Sequence, residues 1–204
     1  AVAEIAFREG QPLMPAGGLD SHDLRLRLLQ RGLPLEAIES ASKASLQTGR
    51  PLADCLLSTH VLPPHLLFEI LQDQFSAWLL QAFSTFEGRY LFFEEEINPQ
   101  AFLPVRLDLI RLIKDGIYRT YDLQRLQWLF EPFYSRAVTR SHTPPIDIAT
   151  LALPTQEERI YRMIGRTDTL WSLLHQAQTA TRIGPLGVTC FLFFLAQVEV
   201  LLFD

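Results

Sequence analysis

The side chains that most often carry chemistry are sparse in this 204-residue sequence and lie at unhelpful spacings. Of the five histidines, His60 and His65 come nearest to a pair, and they flank two prolines at the start of a helical segment. Their i, i+5 spacing does not place two ligands on one helix face, and no third ligand for tetrahedral zinc is apparent. The sequence therefore predicts no metal site.

The carboxylates and glycines of the sequence likewise form no motif of a metal, phosphate-binding or catalytic site. The acidic run Glu94-Glu95-Glu96 has no histidine or aspartate at metal-ligand spacing, so we interpret it as a solvated strand end. Gly17-Gly18 is interpreted as a turn, and no Gly-rich phosphate loop, nucleophile elbow or H-E-x-x-H motif is present. We therefore expect a protein that is not an enzyme and has no cofactor.

Cysteine and aromatic residues favour structural roles. Cys55 and Cys190 each lie in an apolar helical run, far apart in sequence, and are predicted to be buried, reduced thiols. Four aromatic residues could stack on a ligand, but their helical spacing favours a place in the core. They are Tyr118, Tyr121, Trp128 and Trp171.

The composition is that of a soluble globular protein, with 48% hydrophobic and 20% charged residues. A formal net charge of -5, without a basic stripe, argues against a nucleic-acid partner. The segment from Ile183 to Phe203 approaches the length of a membrane span, but Gln197 and Glu199 interrupt it. We predict a buried helix followed by a strand there, no membrane span, and a cytoplasmic protein.

An imperfect internal duplication organises the first half of the sequence. Residues 28–34 (LLQRGLP) return as residues 56–63 (LLSTHVLP), and each copy leads into an amphipathic helix. Two helix pairs with apolar faces must pack on each other, so residues 20–86 predict a helical module. Its longest helix should begin at Pro63-Pro64. Apolar residues and one glutamine then recur at i, i+3, i+4 spacing: Leu67, Ile70, Leu71, Gln74, Phe75, Trp78 and Ala82.

The segments on either side of this module have strand patterns. Residues 4–16 alternate weakly around Glu9-Gly10, which predicts a hairpin. Residues 86–93 are rich in aromatic residues and predict a further strand. The sequence therefore predicts a predominantly helical α+β fold, in which a helical insertion interrupts a small antiparallel sheet.

The second half of the sequence is predicted to be helical with one break. Two helices should span residues 105–121 and 122–130, and residues 135–150 have the composition of a linker. Thr155-Gln156-Glu157-Glu158 then fits a capping box, and three helices and a strand follow, as in a winged-helix unit. Because residues 187–197 contain no basic residue, we favour protein packing over DNA binding. The predicted organisation is a domain over 1–134, a linker over 135–150 and a helical subdomain over 151–204.

Taken in order, several of these segments resemble the PATAN domain, the PatA N-terminal domain of bacterial response regulators and gliding or pilus regulators. The resemblance rests on residues 3–13, the duplication and residues 83–92, and it continues through residues 109–119 and the C-terminal helices. It implies a non-catalytic regulatory module that binds other proteins, such as a receiver domain, a small GTPase or a pilus motor, and that can self-associate. The usual opening part of that domain would precede Ala1, so we expect the sequence to be part of a longer chain.

A second resemblance implies a different function. The duplication is also similar to the paired motifs in the N-terminal domains of secretion and pilus ATPases, which can bind cyclic di-GMP. The alternative hypothesis is therefore a cyclic-dinucleotide sensor. Glycine lets the backbone approach a phosphate, but Ala53 and His60 replace two motif glycines in the second copy, which favours the protein-binding hypothesis. The nucleotide-binding residues in this alternative would be Arg50, Leu52, His60 and Gln74.

Overall fold

The computed structural model describes the chain except at residues 1–4, 16–18, 86–88, 90, 92–93, 95–101, 104 and 166–168. The chain divides into two compact units, Ala1–Asp108 and Leu109–Asp204. The sequence had placed the division later, in the 135–150 segment. The observed division comes earlier because the two helices that follow Asp108 pack within the C-terminal unit.

An antiparallel hairpin opens the N-terminal unit. Strand β1 (Ala6–Arg8) pairs with strand β2 (Gln11–Pro15), and Ala6 lies opposite Leu13. Glu9 and Gly10 have φ angles of 50° and 75°, so they form a two-residue turn with the left-handed backbone that hairpins favour. The predicted hairpin is confirmed.

Four helices follow the hairpin: α1 (Ser21–Gln30), α2 (Leu35–Thr48), α3 (Leu52–Ser58) and α4 (Pro64–Ala82). The Asp20 carboxylate caps α1 by accepting a hydrogen bond from the His22 backbone N–H at 2.9 Å. Pro34 and Pro63 are the N-cap residues of α2 and α4, as the sequence predicted. Helix α1 packs on α4 and α2 packs on α3, so each copy of the duplication buries its helices against the other copy.

Helix α4 provides much of the core of the N-terminal unit. The residues that it buries agree with the predicted stripe as far as Phe75; beyond that point Leu79 is buried, Trp78 is half-buried and Ala82 is exposed. The buried stripe is therefore shorter than predicted at the C-terminal end of the helix. The buried residues are Leu67, Ile70, Leu71, Gln74, Phe75 and Leu79.

The third strand of the sheet comes after these helices. Strand β3 (Phe102–Leu103) pairs antiparallel with β2, with Met14 opposite Leu103. The strand order is β1-β2-β3, so α1 to α4 lie between two neighbouring strands. This confirms the predominantly helical α+β fold with its helical insertion. The strand predicted at residues 86–93, Gly17-Gly18 and most of the acidic run 94–96 lie outside the described residues.

The elements of the C-terminal unit are α5 (Leu109–Thr120), α6 (Leu123–Phe130), β4 (Val138–Arg140), α7 (Thr155–Met163), α8 (Leu170–Ala180), α9 (Pro185–Gln197) and β5 (Leu201–Phe203). Helix α9 forms the centre of this unit, and α5, α6, α8 and the final strand pack around it. Strand β4 pairs antiparallel with β5, with Val138 opposite Phe203, so the segment predicted to be a linker contains a strand. The predicted three helices and terminal strand are confirmed.

Burial extends almost all the way around α9. The helix buries a run of consecutive residues from Val188 to Leu192, and then Phe194 and Leu195. Gly187 lies against the residue four positions before it, since a Cβ atom at Gly187 would come within 2.3 Å of Ile183 Cγ2. Within the described part of the chain, no helix is both long enough and apolar enough to cross a membrane.

Replacing Gly187 with alanine should destabilise the C-terminal unit. In an open helix position this change stabilises by about 1 kcal/mol, whereas here the new methyl group overlaps a stiff, β-branched side chain and should cost about 1–3 kcal/mol. Urea unfolding of the full chain, followed by circular dichroism, measures the change. Gly184→Ala is the control, because nothing lies within 4 Å of the place that a Cβ atom would occupy there. A gain of stability in Gly187→Ala would contradict the close contact.

Candidate protein-interaction site

Two tryptophans of the C-terminal unit are exposed, so the prediction that they lie in the core is wrong. Trp128 on α6 is 69% exposed and Trp171 on α8 is 63% exposed. Helix α6 buries Leu126 and Phe130, which places Trp128 on its outer face. Trp171 is in the first turn of α8, next to the buried Leu170. On each helix the tryptophan therefore lies outside the buried face.

Tyr134 connects the surroundings of the two tryptophans. Its ring packs edge-to-face against Trp171, with the ring centres 5.5 Å apart. Its hydroxyl donates a hydrogen bond of 3.2 Å to the carbonyl of Gln127, the residue before Trp128. Burial, and then the negative charge of Glu131, raise the pKa of the Tyr134 phenol, so the hydroxyl stays a donor at neutral pH. We call Trp128, Tyr134 and Trp171 the aromatic patch.

Backbone hydrogen bonds fix the position of the patch. The Trp171 N–H donates to the Tyr134 carbonyl at 3.1 Å, and the Leu170 N–H donates to the Arg136 carbonyl at 3.0 Å. Thr169 caps α8, because its hydroxyl accepts a hydrogen bond from the Ser172 N–H at 3.2 Å. The start of α8 is therefore tied to the chain that follows α6.

The patch has the chemistry of a binding surface rather than of a reaction centre. Trp and Tyr combine a large apolar area with a polar end, which makes them the most common anchors of protein interfaces. The described residues contain no group of three or more His, Cys, Asp or Glu side chains that could hold a metal ion. Nothing in the patch itself is a nucleophile or a general base at neutral pH.

A buried ion pair, which the sequence analysis missed, joins three helices of the same unit. Lys114 on α5 pairs with Glu157 on α7, and these side chains are 21% and 7% exposed. The Tyr118 hydroxyl donates to the second oxygen of Glu157 at 2.9 Å and lies 3.4 Å from the carbonyl of Gly187 on α9. The Lys114 ammonium also lies 5.8 Å from the ring centre of Phe191.

This network has a structural role in the C-terminal unit. Burial, then the negative charge of Glu157 and its hydrogen bond, raise the pKa of Tyr118 well above its ordinary value. The phenol is therefore a permanent donor, and each oxygen of the Glu157 carboxylate has a partner. The sequence places Lys114 and Tyr118 at i, i+4 on the amphipathic helix α5, but nothing in it marks Glu157 as their partner.

The capping box predicted at Thr155 is wrong. Pro154 is the N-cap residue of α7, Thr155 is already helical, and no side chain caps the helix. Glu157 cannot reach back to a cap because it faces the core, while Glu158 pairs with Arg162 one turn later on the surface. The sequence pattern fitted a cap, but the proline shifts the helix start back by one residue.

The two cysteines are buried, as predicted, and form no disulfide. Burial raises the pKa of the Cys190 thiol to about 11, so the thiol stays protonated at neutral pH and is a poor nucleophile. Cys55 lies on the buried face of α3. Both residues act as small core side chains.

The four residues of the cyclic-dinucleotide hypothesis have different surroundings. Arg50 and His60 are exposed and lie just before and just after α3, whereas Leu52 is buried at the start of that helix. Gln74 is only 2% exposed and donates from Nε2 to the Asp20 carbonyl at 2.8 Å, which ties α4 to the start of α1. Two of the four side chains therefore belong to the core.

His60 and Gly32 occupy equivalent places in the two copies of the duplication. Each is the second residue after the last residue of its helix, and each has a left-handed backbone, with φ angles of 52° and 83°. The Gly32 N–H donates to the Leu29 carbonyl at 2.9 Å, and the His60 N–H donates to the Leu57 carbonyl at 3.1 Å. The glycine of the motif therefore serves here to end a helix.

Comparisons with models of protein families, with curated proteins and with solved structures return no match for this chain. The resemblances to the PATAN domain and to the secretion ATPases thus stay predictions from sequence. The geometry of the aromatic patch is the basis of the functional proposal below.

Replacing His60 with glycine should stabilise the N-terminal unit by about 0.5–1 kcal/mol. A left-handed backbone costs a residue with a Cβ atom about 1–2 kcal/mol, part of which the greater freedom of glycine in the unfolded chain offsets. Urea unfolding measures the change, and Gly32→Ala is the matched reversal, which should destabilise by about 1 kcal/mol. A loss of stability in His60→Gly would mean that the imidazole makes a contact that matters more than the backbone.

A double-mutant cycle on the buried ion pair should show strong coupling. Lys114→Met and Glu157→Leu should each cost about 2–4 kcal/mol, because each leaves one charge buried without its partner. The double variant should lose less stability than the two single variants lose together, with a coupling energy of about 1–3 kcal/mol. The control is Glu158→Ala, which breaks the exposed pair with Arg162 and should change stability by less than about 0.5 kcal/mol. Additive losses in the cycle would contradict the assigned pair.

Proposed function

We propose that this chain is a non-catalytic regulatory module that binds another protein through the aromatic patch. The observation that carries the proposal is the exposure of two tryptophans of the C-terminal unit, Trp128 and Trp171, where Tyr134 packs on Trp171 and bonds to the residue before Trp128. Exposed Trp and Tyr side chains are enriched at protein interfaces, because they combine a large apolar area with a polar group. A partner protein that covers both indole rings would bury apolar area that the fold leaves exposed to water.

The fixed geometry of the patch supports this use. Tyr134 is held by its ring contact, its hydroxyl bond to Gln127 and its carbonyl bond from Trp171. An aromatic side chain that is already positioned loses little conformational entropy when a partner arrives, so more of the contact energy remains as affinity. The indole N–H groups and the exposed polar residues around the patch can supply the hydrogen bonds of an interface rim.

The composition of the chain and its resemblance to the PATAN domain support a context for this binding. We place the module in the cytoplasm of a bacterium, in the control of signalling, motility, polarity or pili, with a receiver domain, a small GTPase or a pilus motor as the kind of partner. Nucleic acid is disfavoured, because the formal charge is -5 and α9 is buried and has no basic residue.

Affinity capture from the native cell, followed by titration with the purified partner, tests the proposal. Trp128→Ala and Trp171→Ala should each weaken the partner's affinity at least about tenfold, since anchors of this kind contribute about 2 kcal/mol or more. Phe68→Ala removes an exposed aromatic side chain from the N-terminal unit and should leave the affinity unchanged. Circular dichroism confirms that the variants fold.

Equal affinity of the tryptophan variants and the parent protein would contradict the patch as the binding surface. Failure to capture any stable partner would count against the interaction module as a whole. Calorimetric titration with cyclic di-GMP is the complementary measurement: binding at micromolar concentration would favour the sensor hypothesis instead.

A further inference from the structure

In the described part of the N-terminal unit, helix α2 leaves two of its leucine side chains exposed. Of its 14 residues, only Ile38 and Ala41 are buried, against the neighbouring helices. Two leucines near its opposite ends stay in water: Leu35 is 52% exposed and Leu46 is 87% exposed. Leu46 therefore leaves most of its apolar area unburied.

The two leucines lie on one stripe of the helix. Leu35, Glu39, Ser42 and Leu46 follow each other at i, i+4, i+7 and i+11, which is the spacing of a two-helix seam. The stripe lies beside the buried face and is open to a partner, since Ser42 is half-buried and the other three residues are exposed. We call these four residues the α2 stripe.

We propose that the α2 stripe binds the α2 stripe of a second copy of this chain, with the two helices antiparallel about a two-fold axis. The stripe is self-complementary in this arrangement, because Leu35 meets the partner's Leu46 and Leu46 meets the partner's Leu35. Glu39 lies opposite the partner's Ser42, whose hydroxyl already donates to the Ile38 carbonyl of its own helix at 2.8 Å, so the carboxylate gains no hydrogen bond from it. Each end of the interface is then apolar and its centre is polar.

The charges beside the stripe select the antiparallel direction. Glu36 directly follows Leu35, and Lys43 directly follows Ser42, so both charges lie on the same side of the stripe. In the antiparallel pair, Glu36 approaches the partner's Lys43, and the two-fold axis repeats the contact. In a parallel pair, these charges would be about 10 Å apart along the axis. Within the described residues neither side chain takes part in an intramolecular ion pair.

The size of the interface predicts a weak dimer. A stable interface usually buries about 800 Å² per partner, and a single pair of 14-residue helices, each about 21 Å long, buries less than that. The polar centre at Glu39 and Ser42 weakens it further. We therefore expect a dissociation constant in the micromolar range or above, so that the chain is monomeric at low concentration.

Sedimentation velocity of the full chain over a wide concentration range tests the proposal. A reversible dimer should form, and Leu46→Glu should raise its dissociation constant at least about tenfold, because the change removes apolar contact and adds like charges. Leu186→Glu is the matched control, since it alters an exposed leucine of the C-terminal unit and should leave the constant unchanged. Glu39→Leu should lower the constant at least about tenfold by completing the apolar stripe.

Charge reversal tests the direction of the helices. Glu36→Lys should weaken the dimer, because it faces the partner's Lys43, and the double variant Glu36→Lys/Lys43→Glu should restore it. A chain that stays monomeric at all concentrations, even as Glu39→Leu, would overturn the proposal. A dimer that is insensitive to Leu46→Glu, or that the double reversal does not restore, would also overturn it, because its interface would then lie elsewhere or run in the other direction.

Discussion

The structure of the C-terminal unit depends on the burial of one helix that is apolar on nearly every side. Helix α9 can leave little of its surface in water, so α5, α6, α8 and β5 surround it. Each of these helices buries one face in the unit, and α6 and α8 leave a tryptophan exposed outside that face. The aromatic patch consists of outer faces: Trp128 and Trp171 are displayed because Leu126 and Leu170 fill the inner positions. The exposure of the proposed binding surface is thus a consequence of how the core is closed.

The same constraint explains the one charged network in that core. Where α5 and α7 meet beside α9, Lys114 and Glu157 neutralise each other, and Tyr118 uses the remaining lone pairs of the carboxylate. A buried pair of this kind contributes little net stability, but it strongly disfavours any packing that separates its members. It therefore fixes the register of two helices that apolar contacts alone would hold less specifically.

Much of the fold could be predicted because its signals are local. The apolar run of α9, the prolines before α2 and α4 and the Glu9-Gly10 turn each determine nearby backbone, and the structure has all of them. What was missed depends on residues that are far apart. Lys114 and Glu157 are 43 positions apart, and no local pattern marks them as partners. Spacing alone also could not show which side of α6 faces the core, so Trp128 was assigned to the wrong one.

The duplication shows how a repeated pattern can keep a shape while its residues change. The first helix of each copy packs on the second helix of the other, through the pairs α1 with α4 and α3 with α2, so neither copy could bury its faces alone. Gly32 and His60 end the first helix of each copy with the same left-handed turn, although only the glycine adopts that turn without strain. The two copies therefore share the left-handed turn after their first helix and the way in which each packs its apolar faces on the other copy. Helix α2 buries only Ile38 and Ala41, so this packing leaves the stripe from Leu35 to Leu46 exposed except at the half-buried Ser42. The reciprocal packing of the repeat thus leaves exposed the surface through which we propose that this chain self-associates.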